Sequence, residues 1–275
     1  MLPLVIVLDG PVGTELAARG VATSGPGWSA GAIESAPDIV RAIHADYAAA
    51  GAEVIRTNTF RTQPRVLPER WRELVAIAVR LAREASGPGR RIAGSIAPIA
   101  DCYRPDLSPP ASEARVAHAA LARALAEEGV DLLVCETFPH AGEARIAVEE
   151  ARRTDLETWA ALTAGPDGSL MTPAAMEEAA RACAGEGAAA VLVCCTAARL
   201  TLPYVERLAR ASVPCGAYAN AGALADGVGW GAPGAEARYL ELARQWRDAG
   251  AAILGCCCGT SPAHVAAIAR ELTAR

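Results

Sequence analysis

Short apolar runs of β type alternate with longer stretches of helical period along the whole chain, and this rhythm, counted eight times, restricts the possible folds most. Strands are predicted over residues 4–8, 53–57, 91–96, 131–135, 158–162, 190–193, 213–217 and 251–254. Several are near-continuous Val, Ile, Leu and Ala, the composition of parallel strands buried on both faces. The helices predicted over 37–50, 112–128 and 236–249 stop at or beside Gly51, Gly129 and Gly250, and one over 173–185 opens with Pro173. Eight consecutive βα units predict an α/β fold of the (β/α)8 TIM-barrel type, one domain over residues 1–275. With 52% hydrophobic residues, 275 residues can bury such a core. The rival is a doubly wound open sheet, but the first βα turn, Asp9-Gly10-Pro11-Val12-Gly13, misses the dinucleotide fingerprint. Three long connections, 20–31, 98–111 and 218–235, are expected above the carboxyl ends of the strands, where barrel active sites are built.

A formal net charge of −5 and the lack of a basic run argue against nucleic acid and anionic membrane surfaces as partners, and favour small-molecule chemistry. The first ten residues lack a basic segment and a cleavage-type site, so they read as a strand and not as a signal peptide. No apolar run approaches the roughly 20 residues of a membrane span, and a cytoplasmic location is expected. Nine cysteines are many for a reducing compartment, which points some of them to metal binding or thiol chemistry.

The densest thiol clusters follow the sixth and eighth predicted strands: Cys194-Cys195 and Cys256-Cys257-Cys258-Gly259-Thr260. In an eight-stranded barrel these strands are one neighbour apart, so thiolates from both could reach one ion. Zinc suits such ligands, and three of them leave the fourth tetrahedral position open to substrate. Spacing alone also permits a redox pair or a structural metal. Cys102, Cys135, Cys183 and Cys215 read as small buried hydrophobes. The four histidines lie in or at the start of predicted helices and read as packed or solvated.

The chain resembles the homocysteine S-methyltransferase family nearly end to end. The residues carrying the likeness are 9–16, Asp-Gly-Pro-Val-Gly-Thr-Glu-Leu; Trp28-Ser29-Ala30; 51–60, Gly-Ala-Glu-Val-Ile-Arg-Thr-Asn-Thr-Phe; and Gly94-Ser95-Ile96-Ala97-Pro98. They continue with 129–138, Gly-Val-Asp-Leu-Leu-Val-Cys-Glu-Thr-Phe, then Cys194-Cys195, then 255–260, Gly-Cys-Cys-Cys-Gly-Thr. The resemblance implies a Zn2+ cofactor held by Cys194, Cys257 and Cys258. It further implies methyl transfer from a sulfonium donor to the thiolate of homocysteine, with a thiol acceptor and a methyl donor as the small-molecule partners and methionine as the product. The family's amino-acid anchor matches Asp9 and Glu136. Trp28 could face an onium donor or simply anchor its loop, and the Trp-Ser-Ala wording resembles members using S-methylmethionine or S-adenosylmethionine more than those using betaine. Thr57, Asn58 and Ser95 stand at strand ends, where they could bind substrate or satisfy local backbone.

Three departures bear on the acceptor. Val193 stands where the family pattern usually places Asn, Cys256 where it places Gly, and 218–222, Tyr-Ala-Asn-Ala-Gly, lacks the family's Pro and Ser. Another small thiol or a selenol, betaine as donor, or a noncatalytic zinc- or thiol-sensing barrel are the alternatives they leave open.

Overall fold

The computed structural model describes residues 5–25 and 27–273, so Leu4 of the first predicted strand and Pro26 of the first long connection lie outside the described residues. Eight strands form one parallel sheet: Ile6–Val7 (β1), Val54–Arg56 (β2), Arg91–Ile96 (β3), Leu132–Phe138 (β4), Glu157–Leu162 (β5), Ala190–Ala197 (β6), Cys215–Asn220 (β7) and Ala251–Cys256 (β8). Their order is β1-β8-β7-β6-β5-β4-β3-β2, and a parallel bridge from Leu8 to Val54 joins the two ends of the sheet. The fold is the (β/α)8 barrel that the alternation predicts.

The helices follow in turn. Val12–Ala18 (α1), Ala32–Ser35 (α2) and Pro37–Ala49 (α3) lie between β1 and β2. Each later strand is followed by one: Trp71–Ser86 (α4), Ala111–Glu127 (α5), Ala141–Arg152 (α6), Pro173–Gly185 (α7), Leu202–Leu208 (α8), Ala235–Asp248 (α9) and Pro262–Leu272 (α10). Their starts show why these segments become helical. Thr172 caps α7 by accepting from the Ala175 amide at 3.2 Å, with Pro173 at the first position. His140 caps α6 through the Glu143 amide at 3.1 Å. Among the described residues no helix is long and apolar enough to cross a membrane.

Strand periodicity divides the core in two. Inward residues such as Leu8, Val54, Leu132, Trp159, Leu192 and Ile253 fill the barrel, while Ile55, Ile92, Leu133, Val191 and Leu254 pack outward against the helices. Cys135, Cys183 and Cys215 belong to the outer layer, as packing residues should. The seventh strand starts two residues later than predicted, after Pro214, which has no amide hydrogen for the ladder. The fourth and sixth run three and four residues further, through polar and thiol side chains buried as deeply as the aliphatic ones before them.

At Gly216, next to a register shift between β7 and β8, a β-carbon would stand 2.5 Å from the Ile253 carbonyl oxygen and 2.7 Å from its Cβ. Gly216→Ala should therefore cost about 1–3 kcal/mol of stability. Urea denaturation followed by circular dichroism measures this, and an unchanged midpoint would contradict the close approach.

Candidate active site

Above the carboxyl ends of the strands lies a cavity of about 440 Å³ lined by residues of β2, β3, β4 and β6 and of the segments that follow β1, β2, β3 and β8. It brings together Trp28, Thr57, Asn58, Ser95, Glu136, Cys257 and Cys258 of the residues singled out in the sequence. It does not include Asp9 or Cys194. Cys195, Arg56, Arg61, Thr137, Cys102 and Tyr103 line it as well.

The thiol of the sixth strand that reaches the mouth is Cys195. Alternation along β6 turns residues 190, 192 and 194 inward and would turn 195 away. Instead Cys195 takes φ +49°, the β6–β7 register shifts between Cys194 and Ala197, and its side chain joins the cavity. Thr137 does the same on β4, with φ +63° beside a register shift between Cys135 and Phe138. Positive φ strains a non-glycine residue, a β-branched one most. Five non-glycine residues have it among the described residues, and three of them, Trp28, Thr137 and Cys195, line this cavity. Such strain gathers where the surrounding structure holds a functional geometry. The Thr137 hydroxyl lies 3.5 Å from Cys195 Sγ and 3.7 Å from Cys194 Sγ, and Asn220 Nδ2 donates to the Cys195 carbonyl at 2.9 Å. Cys194 is fully buried in the barrel interior below the mouth. The thiol that lines the cavity together with Cys257 and Cys258 is thus Cys195, where Cys194 was expected, and the residue before it is Cys194, not Val193.

Cys257 and Cys258 follow β8, with their sulfurs 4.0 Å apart. Thiolates at ~2.3 Å around a tetrahedral zinc stand ~3.8 Å from each other, so the spacing suits two ligands of one ion. Neighbouring thiols and burial shift every one of the three. Cys195 is raised by hydrogen bonding with Cys194 and Cys257, then by burial. Cys257 is lowered by hydrogen bonding with Cys195, but Cys258 and burial more than offset that. Cys258 is raised by hydrogen bonding with Cys195 and by burial. All three end well above the ordinary thiol value. Among the described residues no three Cys, His, Asp or Glu side chains stand in a finished ligating arrangement, so meeting at one ion requires side-chain rotation. The donor set nevertheless fits zinc: soft sulfurs, two elements, one cavity.

Cys256 is no fourth donor. It points outward into the layer packed against the helices, and burial pushes its thiol up to about 12. Cys102, expected as packing, is buried yet lines the cavity.

Beside the thiols stands a buried ionic network that sequence reasoning missed. Arg56, the last residue of β2, donates from Nε to Asp9 Oδ1 and from Nη1 to Glu136 Oε2, each at 2.7 Å. Its Nη2 faces the carbonyls of Gly10 and Cys256 at 3.3 Å, and its guanidinium lies 4.6 Å above the Tyr218 ring. The Tyr218 hydroxyl donates to Glu136 Oε2 at 3.0 Å, and Ser95 donates to Oε1. Burial works against the Arg56 charge, but Asp9 and Glu136 outweigh it and hold its pKa above the usual range. For Asp9 burial wins over Arg56 and pushes the carboxyl up to about 6. Asp9, expected to meet a substrate ammonium, is wholly buried and ion-paired with Arg56. Glu136 does line the cavity, already carrying Arg56, Tyr218 and Ser95.

Other expected contacts are partly spent on the loops. Asn58 exchanges two hydrogen bonds with Ser29, at 2.7 and 2.9 Å, tying down the segment that carries Trp28. The Thr57 hydroxyl meets that of Thr59 at 2.8 Å and accepts from the Ser95 amide. The Trp28 indole packs on Phe60, centroids 5.9 Å apart, and on Gly13, where a β-carbon would lie 2.3 Å from the ring. Trp28 is therefore a loop anchor whose ring also faces the cavity. The four histidines stay outside the cavity lining.

The sequence profile of the homocysteine S-methyltransferase family matches residues 6–272. The chain belongs to the homocysteine S-methyltransferase family. The homocysteine S-methyltransferase of Escherichia coli (strain K12) is 29% identical over 96% of this chain and 94% of its own. The S-methylmethionine–homocysteine S-methyltransferase of Pongo abelii is 28% identical over 98% of this chain and 78% of its own. The crystal structure of the E. coli homocysteine methyltransferase MmuM in its metallated form superposes with a TM-score of 0.82 at 26% identity, covering 98% of this chain and 96% of that one. Family membership makes the chain a methyltransferase, and the cavity above its strands is where the strained exits of β4 and β6 and the β8 thiols meet.

Removing Arg56 would leave two buried carboxylates without their cation. Arg56→Met should lower stability by about 3–5 kcal/mol, read by urea denaturation at pH 7; a wild-type midpoint would mean that the network does not bear on folding. Asp9 adds a pH dependence. Its folded pKa of about 6 lies above its ordinary value, so its stabilising share is complete below that ordinary value and lost as pH rises through 6. Wild-type stability should thus fall relative to Asp9→Asn between about pH 4 and pH 6; parallel profiles would rule out this titration.

Proposed function

We propose that the chain transfers a methyl group from a sulfonium donor, S-methylmethionine or S-adenosylmethionine, to the thiolate of homocysteine, giving methionine, with zinc held by Cys195, Cys257 and Cys258. Residues 1–275 act in this reading as one catalytic barrel domain. What carries it is the meeting of thiols from β6 and β8 in a cavity of a homocysteine S-methyltransferase family member. The metallated form of the structural neighbour and the substrates in the relatives' names support the metal and the reactants.

Bound zinc supplies an acceptor thiolate at neutral pH, since coordination deprotonates a thiol outright. The chain's residues then have three tasks. Thr137 and Asn220 hold Cys195 in its strained conformation, which keeps its sulfur at the mouth. Trp28 and Tyr103 offer aromatic faces to a cationic donor, and Tyr103 packs against the thiol-bearing interior. Among the described residues Glu136 Oε1 accepts from Ser95 alone and keeps an acceptor site for a substrate ammonium. In the transfer a sulfur–carbon bond forms as the donor carbon–sulfur bond breaks, and the bonding pair leaves with the donor sulfur. That sulfur departs as a neutral thioether, so no general acid is needed. Much of the acceleration comes from aligning the three atoms.

A second reading has an observation of its own. Arg56 holds both carboxylates expected for an ammonium group, which favours a thiol acceptor without one.

Cys195→Ser, Cys257→Ser and Cys258→Ser should each lose bound zinc and methyl transfer together, whereas Cys194→Ser and Cys183→Ser should keep both. Elemental analysis of purified protein, with mass spectrometry of methionine from homocysteine and S-methylmethionine, provides the readouts. Full zinc content in Cys195→Ser would overturn the ligand set.

A further inference from the structure

We propose that Arg61 is the carboxylate anchor of this cavity and grips the acid end of an amino-acid substrate. The proposal deepens the thiol-methylation reading and rests on it for the identity of the ligands. Two arginines line the cavity, and they differ in kind. Arg56 is consumed internally: its Nε, Nη1 and Nη2 all have protein partners, two of them carboxylates. Arg61 is half-buried, on the segment that leaves β2. Its Nη1 donates to the Ala100 carbonyl at 2.8 Å, and its guanidinium lies 5.3 Å from the centre of the Phe60 ring. These two contacts hold the group at the rim. They leave Nε and Nη2 without a protein partner among the described residues, and no carboxylate there stands within 4 Å.

That free pair of N–H groups is the fork that matches the two oxygens of a carboxylate. The acidic neighbour on the rim, Asp101, makes no ion pair with it and turns Oδ1 to the Tyr103 amide at 2.8 Å. A half-buried cation that lines a cavity and lacks an anion is prepared for one that arrives with the substrate. Glu136 already carries the Arg56 charge, so the lining has no other free cation for an acid group among the described residues. Both reactants of the proposed reaction can supply a carboxylate, and the test separates them.

Binding is measured by isothermal titration calorimetry on the full-length, zinc-loaded chain. The acceptor arm compares homocysteine with 3-aminopropane-1-thiol, which lacks only the carboxylate. The donor arm compares S-methylmethionine with (3-aminopropyl)dimethylsulfonium. In one arm Arg61→Gln should weaken the acid-bearing ligand roughly 10- to 100-fold and leave its counterpart within about twofold. Arg61→Lys should recover part of the loss, since it restores the charge but not the fork. Should Arg61→Gln fail to fold, by circular dichroism, the wild type alone must still prefer the acid-bearing ligand in one arm by the same factor. The arm that responds names the reactant. Equal weakening within both pairs, no weakening, or no binding of either acid-bearing ligand to the wild type would overturn the proposal. Failure of the methyl-transfer reading looks different: no methylated product, with carboxylate binding still dependent on Arg61.

Discussion

A buried arginine bridging two buried carboxylates organises the upper end of this barrel. Arg56 reaches Asp9 beyond β1, Glu136 on β4, the Cys256 carbonyl on β8 and the face of Tyr218 on β7. One side chain thereby ties together strands from most of the barrel's circumference. Three such charges are costly to bury, and each is offset only while the others keep their geometry. The network therefore specifies how the strand ends stand relative to one another. It also sets the electrostatics of the cavity floor, because Arg56 pairs with Asp9 and with Oε2 of Glu136 before any substrate enters.

The thiol site depends on the same frame. Glu136 and the strained Thr137 are adjacent on β4, and Thr137 touches the sulfurs of Cys194 and Cys195. The contacts that hold Glu136 therefore also hold the β4 exit against the β6 exit. Asn220, two residues beyond Tyr218, fixes the Cys195 carbonyl from β7. Local strain at Thr137 and Cys195 is tolerated because hydrogen bonds from neighbouring strands leave no relaxed alternative. Packing, ionic pairing and thiol placement are here one construction, and Arg61 stands at its edge with its fork unspent.

Much of the barrel was legible before any coordinates. Runs of branched residues broken by glycine and proline carry the strand positions, and errors fell at strand ends, where polar and thiol side chains replace the aliphatic signal. The cysteine clusters also stood out, but the choice within one of them did not. In Cys194-Cys195 both residues have the same chemistry, and the register shift that turns Cys195 to the mouth leaves no mark in composition. Arg56 hides for a related reason: one arginine in an apolar run carries no sign of two carboxylates 47 and 80 residues away. A buried-strand reading could have asked what pays for its charge. Arg61 and Tyr103, on connecting segments, carried no signal at all.

By itself the sequence determined the alternation of strands and helices, the closure it implies, the family, and the two thiol clusters brought to one end of the barrel. These follow from short-range periodicity and from the order of elements, both properties of a linear chain. Tertiary structure alone decided which sulfur of the first cluster faces the cavity, that Cys256 turns outward, that Asp9 is shut behind Arg56, and that Arg61 keeps a free edge. The physical reason is that each of these outcomes depends on a register shift or a distant partner. A one-residue change of register reverses the face a side chain meets, and a buried charge takes its role from whatever groups folding sets beside it.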